Sequence, residues 1–283
     1  MRKSVFIIFA STGENLSLLV SKDKIPSLPT KMPKFSSLFT YKNKNLTICW
    51  THKKIPTDKY RWVPLKKLIS IKTCDAASLC LALGVFYKCM PSGREGFSDI
   101  PLPRFLVKNN FQHFTDEIAF YGGTFDPWHK GHTACLKLCP HEHVIVIPDY
   151  NPFKKKATTF ENPWSRVRDL AFKFARTSAA IYPAFAGYER PNPTISWFPK
   201  TKVAKKDLLL GDDNFMILLK WKRAKELIRH IRKIFVVPRN HKKDEIEKNF
   251  KSLLEINPLL EMELLPDHPY KNISSTALRK RSK

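Results

Sequence analysis

Phe120-Tyr121-Gly122-Gly123-Thr124-Phe125-Asp126-Pro127-Trp128-His129-Lys130-Gly131-His132 is the stretch from which the rest of the chain is read. The apolar run at 118–121 reads as a short buried strand. Two glycines follow, then a turn-forming Asp-Pro, then a helix that begins near Gly131. Gly122 and Gly123 have no side chains, so backbone N–H groups there can approach an anion closely. The mouth of the helix adds unpaired donors and the positive end of its dipole. His129 and His132, three apart at that mouth, can face the same bound phosphate. A double glycine after a strand also serves a plain tight turn, and a helical histidine is commonly structural. The string as a whole is more specific than its parts. Three of the chain's nine glycines lie in it, and the Gly-x4-Gly-Lys-Ser/Thr phosphate loop is absent.

Working outward, strands alternate with helices from about residue 115. Apolar runs predict strands at 118–121, 144–148, 208–211 and 234–237, with a weaker one at 263–265. Helical spacing predicts helices at 131–138, 163–177, 215–228 and 244–254. Strands separated by helices imply parallel βαβ units, an α/β fold with an open, doubly wound, Rossmann-like sheet. Ligands then bind beyond the carboxyl ends of the strands. That rule sets Gly122, the 148–154 segment, 211–213 and Arg239 along one edge.

Four further segments carry candidate chemistry. In Asn151-Pro152-Phe153-Lys154, Lys154 can reach a bound phosphate, or belong to a solvated lysine run. Leu210-Gly211-Asp212-Asp213 is followed by Trp221, eight positions beyond Asp213, with an amphipathic helix expected between them. A buried acid there can hold a ribose or an amide, and an indole can stack on an electron-poor ring or simply fill the core. Thr194 in Pro193-Thr194-Ile195 and Arg239 after Val236-Val237-Pro238 are further polar candidates. Near the end stands Ile273-Ser274-Ser275-Thr276-Ala277-Leu278-Arg279. Ser274 or Ser275 can cap a helix whose mouth is a second anion site, and Arg279 can bond a phosphate.

The first string resembles the GGTFDPxHxGH motif of the nucleotidylyltransferase superfamily, and the last resembles its ISSTxxR motif. In this full form the pair is most similar to nicotinate or nicotinamide mononucleotide adenylyltransferases, over about 117–283. The resemblance implies transfer of an adenylyl group from ATP to a pyridine mononucleotide, with Mg2+ accompanying the ATP, in NAD biosynthesis. It implies catalytic roles for His129 and His132. Gly122, Gly123, Thr124, Phe125, Lys154, Ile273, Ser274, Ser275, Thr276 and Arg279 would hold ATP and its phosphates. Thr194, Asp213, Trp221 and Arg239 would hold the mononucleotide. The chain departs from the family at Phe153, where a histidine is common, at Pro193 and Trp197, and at Lys222, where many bacterial members carry an aromatic. Acid against amide preference stays open.

Residues 1–114 read differently, as a basic, β-rich accessory domain. Short β-like runs fall at 5–9, 16–20, 46–50 and 62–63, with a helix expected at 75–86 and a proline-containing linker at 91–114. Tyr60-Arg61-Trp62-Val63-Pro64-Leu65 is faintly similar to the closing segment of Nudix-like domains. The glutamate-rich Nudix box is absent, so no hydrolysis is expected from it.

The formal net charge is +25, spread over both parts. Such a field favours polyanions, from ATP to nucleic acid, without choosing among them. Six cysteines form no CxxC pair; Cys135 and Cys139, near His141 and His143, could gather a metal, while reduced free thiols are the ordinary cytoplasmic state. No run approaches a membrane span, and a cytoplasmic location is expected. Oligomerisation is left open. Rival readings are adenylyl or cytidylyl transfer to another acceptor such as phosphopantetheine, a basic nucleic-acid-binding protein on a retired nucleotide fold, and a docking role for the front domain.

Overall fold

The structure is a computed structural model. It describes residues 5–12, 15–22, 29, 39–43, 46–51, 54, 58–64, 116–149, 167, 169–170, 173–174, 177–182, 193–201, 203–275 and 277–278. The expected helix at 75–86, the linker at 91–114, Phe153, Lys154, Thr276 and Arg279 lie outside these residues, as does much of the expected helix at 163–177.

A five-stranded sheet comes first, built from β1 (Val5–Thr12), β2 (Asn15–Ser21), β3 (Phe39–Asn43), β4 (Leu46–Thr51) and β5 (Tyr60–Pro64). Its order is β3-β4-β1-β2-β5. All pairings are antiparallel except β1 with β4. Four of these strands coincide with the runs in the sequence, and β3 is additional.

The second sheet holds six strands: β6 (Glu117–Gly123), β7 (Val144–Pro148), β8 (Ala180–Ile181), β9 (Lys205–Gly211), β10 (Lys233–Val237) and β11 (Glu261–Leu264). Every pairing is parallel, in the order β11-β10-β9-β6-β7-β8. This is the expected doubly wound α/β arrangement. The order reverses between β6 and β9, and a crevice opens beyond their carboxyl ends. Strands covered on both faces read as continuous apolar runs; all five residues of β7 are buried, as are Leu208, Leu209 and Leu210 of β9.

Helices follow the strands. The first, α1 (Lys130–Leu138), starts directly after the loop from β6 and stops at Cys139 before Pro140, which cannot continue it. Next come α2 (Asp212–Met216) and α3 (Ala224–Arg229), then α4 (Lys243–Leu254), whose Asp244 and Glu245 complement its N-terminal dipole.

The continuous helix expected at 215–228 is not found. After α2 the chain makes a single 3-10 turn, Leu218–Lys220, then runs extended at Trp221 and left-handed at Arg223 (φ 53°, ψ 43°) before α3. Phe215, Leu218, Ala224, Leu227 and Ile228 are all buried. With Trp221 partly buried against the same core, inward-facing residues recur every three or four positions across the break, which is why the periodicity imitates one helix.

At the amino ends of the strands, Arg232 bridges Asp207 and Glu117. The His141 ring lies 3.4 Å from the same Asp207. Asp207 is fully buried. Burial alone would raise its pKa, but the close His141 ring and the hydrogen-bonded Arg232 guanidinium win and hold it below the ordinary 3.8. Among the described residues no helix is long and apolar enough to cross a membrane.

Candidate active site

A cleft of about 830 Å³ lies at the carboxyl ends of β6 and β9. One wall is the loop between β6 and α1. Gly122, Gly123, Thr124, Phe125, His129 and His132 all line it. His129 is the residue before the helix and is buried in extended backbone (φ −135°, ψ 174°). Its ring stacks on that of His132, with centroids 3.7 Å apart and planes at 21°. The His129 backbone N–H donates to His132 Nδ1 at 3.3 Å, leaving the His132 ring proton on Nε2. Phe125 and Trp128 pack their rings about His132 at 5.1 Å and 5.0 Å. His129 Nδ1 is buried with no hydrogen-bond partner. Burial first, then the charges of Arg239, His268 and Lys173, lower the His129 pKa to about 4. In the free protein it is therefore a neutral imidazole at pH 7.

The second wall comes from the far end of the chain. Ser274 and Ser275 line the same cleft. Ser274 Oγ accepts the Ala277 N–H at 3.1 Å, and its carbonyl accepts the Leu278 N–H at 3.0 Å. Ser274 is thus the helix cap. Ser275 takes a different partner, donating from Oγ to the Pro127 carbonyl at 3.0 Å. Close passage of the two walls depends on Gly131: a Cβ there would sit 3.0 Å from the His129 ring and 3.4 Å from the Tyr270 carbonyl. Ile273 does not line the cleft through its side chain. Its carbonyl accepts from Arg239 Nη2 at 3.0 Å, and the Lys271 carbonyl accepts from the same group at 3.1 Å. Arg239 thereby holds the serine segment while facing the cleft.

Thr194, Asp213 and Trp221 line the remaining side. Thr194 opens a 3-10 turn, and the family departures Pro193, Trp197 and Lys222 face the cleft with it. One expectation is reversed. Asp213, expected as the buried acid, is exposed to the cleft, and its neighbour Asp212 is the buried one. Asp212 Oδ2 accepts backbone N–H groups from Arg239 (2.8 Å), Asn240 (2.7 Å) and His241 (2.8 Å). It fixes the loop after β10 and so sets the origin of the Arg239 side chain. Gly211 leaves room for Asp213, since a Cβ at Gly211 would lie 2.7 Å from Asp213 Oδ1.

The cysteine-histidine group does not gather around a metal. Cys135 and Cys139 are buried free thiols, and burial pushes the Cys139 thiol up to about 11. Among the described residues, the group close enough to hold an ion is Glu117, His141 and Asp207, at the opposite end of the sheet. It does not suit one. His141 Nδ1 accepts the His143 N–H at 3.0 Å, so Nε2 carries the proton toward Asp207, and Arg232 already occupies both carboxylates.

A profile of the cytidylyltransferase-like family matches residues 120–281, more than half of the chain. The chain belongs to that family. Among its relatives, a probable nicotinate-nucleotide adenylyltransferase of a Nitratiruptor species is 35% identical over 162 residues, covering 50% of this chain and 89% of the relative. One from Helicobacter pylori is 36% identical over 125 residues, covering 41% and 71%. One from Leptospira interrogans is 31% identical over 173 residues, covering 57% and 83%. A solved structure of the Plasmodium falciparum nicotinic acid mononucleotide adenylyltransferase complexed with NaAD overlaps 58% of this chain and 82% of that one. Its TM-score is 0.43 at 22% identity, a likeness too distant to add weight. Within this cytidylyltransferase-like chain, the matched region contains both cleft walls. His268 and Asp212 are not marked by the sequence as site residues. A lone histidine between prolines and the first of two adjacent aspartates carry no spacing signal.

Proposed function

We propose that the chain transfers the adenylyl group of ATP to nicotinate mononucleotide, releasing pyrophosphate, as a step of NAD biosynthesis. The observation that carries this reading is the cleft itself. Two strings about 140 residues apart, His129–His132 and Ser274–Ser275, line one volume large enough for two nucleotides. The names of the bacterial relatives favour nicotinate as the acid form of the acceptor.

In the reaction a phosphate oxygen of the mononucleotide attacks the α-phosphorus of ATP. The new P–O bond forms as the bond to the β-phosphate oxygen breaks, and the electron pair leaves with pyrophosphate. No covalent enzyme intermediate is needed, so catalysis rests on alignment and on stabilising the departing charge. His132 offers a fixed Nε2–H, and His129 a second imidazole, toward the phosphates. Backbone groups around Gly122 and Gly123, the capped segment at Ser274, and Lys154, Thr276 and Arg279 complete that half. Thr194, Asp213, Trp221 and Arg239 take the mononucleotide. The divalent ion enters with ATP as part of the substrate, held by phosphate and water. We assign catalysis to 115–283 and an accessory role to the basic residues 1–114.

His132→Ala tests the assignment. Turnover should fall by about two orders of magnitude or more with the melting temperature little changed. Near-normal turnover would remove His132 from the mechanism.

A further inference from the structure

His268 stands in Pro266-Asp267-His268-Pro269-Tyr270, just ahead of the serine string. It is only 6% exposed and lines the same cleft as His129 and His132. The Tyr270 backbone N–H donates to His268 Nδ1 at 3.1 Å. With that nitrogen occupied as an acceptor, the ring proton of the neutral imidazole sits on Nε2. Nε2 is buried and makes no hydrogen bond. Buried donors are almost always satisfied, because leaving one unmade costs a desolvation penalty. An orphaned N–H at the edge of an anion-binding cleft therefore points to an acceptor supplied by the ligand.

Its surroundings say which part of the ligand. The 268–270 segment packs at the mouth of α1, where the Tyr270 carbonyl would lie 3.4 Å from a Cβ on Gly131. His268 is near enough to His129 for a charge on one to depress the pKa of the other. Burial, followed by the charge of Arg239, lowers the His268 pKa itself. A neutral ring can stand beside another imidazole and still donate. The mononucleotide side of the cleft, with Trp221 and Thr194, is formed by other segments.

We propose that His268 is a third phosphate-binding imidazole, donating from Nε2–H to an oxygen of the β- or γ-phosphate of ATP and remaining bonded as pyrophosphate departs. This rests on the adenylyl-transfer reading for its role in turnover, but its contact with a polyphosphate stands independently of that reading.

The test uses the full chain, with inorganic tripolyphosphate as the binding probe and ATP as substrate. His268→Phe fills the ring's volume without a donor, and His268→Gln keeps an N–H near the Nε2 position. Loss of one hydrogen bond to a charged acceptor should weaken tripolyphosphate binding about tenfold or more in the Phe variant. The KM for ATP should rise similarly, the KM for nicotinate mononucleotide should stay unchanged, and Gln should recover most of the loss. A folded Phe variant that binds tripolyphosphate like the wild type overturns the proposal. So does a Gln variant no better than Phe. Wild-type protein supplies a measurement free of folding effects: the His268 Nε2–H proton resonance should move downfield on adding tripolyphosphate, and a resonance that stays in place contradicts the contact. If the wild type forms no dinucleotide, the reaction assigned above fails, while the tripolyphosphate measurements still decide the role of His268.

Discussion

Ser275 Oγ donates a hydrogen bond to the Pro127 carbonyl at 3.0 Å, joining positions 148 residues apart. Pro127 lies between the two glycines and the two histidines of the first string, so this bond sets one phosphate-facing wall against the other. Ser275→Ala should cost about 0.5–1.5 kcal/mol of stability, the net worth of one such bond. The KM for ATP should rise about three- to tenfold and the KM for the mononucleotide should not change. Urea denaturation and steady-state kinetics measure the two effects separately.

Asp212 holds the loop after β10 by accepting three backbone N–H bonds on one carboxylate oxygen. Asp212→Ala should be among the more destabilising single changes, about 3 kcal/mol or more, because three inward-facing donors lose their acceptor together. Asp212→Asn should cost less, since its carbonyl oxygen can still accept. Arg239 should lose its grip on the Lys271 and Ile273 carbonyls in the Ala variant, so its ATP kinetics should deteriorate beyond what lost stability explains.

The contrast between Asp212 and Asp213 shows where sequence reading stops. Four of the six parallel strands are legible because strands buried on both faces are written as unbroken apolar runs, while the edge strand Glu261–Leu264, alternating acid with apolar residues and with none of them buried, gives only a weak signal. The sixth, Ala180–Ile181, is two residues long and has no pattern to read. The paired strings at 120–132 and 273–279 are legible because glycine, histidine and serine at those spacings have few other uses together. Which of two adjacent aspartates turns inward is decided by the rotation of one residue at the end of β9. Composition says nothing about that rotation. The break at Trp221 and Arg223 is hidden for a related reason, since the partly buried Trp221 keeps a spacing of three between Leu218 and Ala224 across it.

Gly211→Ala should leave the fold nearly as stable as before, because Gly211 has an ordinary extended backbone (φ −71°, ψ 154°). The added Cβ would instead meet Asp213 Oδ1 at 2.7 Å and push that carboxylate aside. The expected result is a rise of about tenfold in the KM for nicotinate mononucleotide, with the KM for ATP little changed, read by varying each substrate in turn.

His129 and Asp207 are two of the groups that give the chain a defined response to acid. His129 titrates near 4 when folded, against 6.5 ordinarily, so the unfolded chain binds its proton first. Stability is therefore unaffected above 6.5 and falls as the pH drops from there toward 4. Asp207 has a lowered folded pKa; its contribution is complete above 3.8 and is lost as the pH falls below that value. Chemical denaturation across about pH 3 to 8 should show both losses, and His129→Gln should shrink the higher one without abolishing it, because the His268 pKa is lowered in the folded chain as well.

The most direct measurement mixes the full chain with MgATP and nicotinate mononucleotide and follows products by mass and pyrophosphate release. The expected outcome is the dinucleotide nicotinate adenine dinucleotide, formed in equal amount with pyrophosphate. Pyrophosphate without dinucleotide, or neither product from a folded protein, would contradict adenylyl transfer in this cleft.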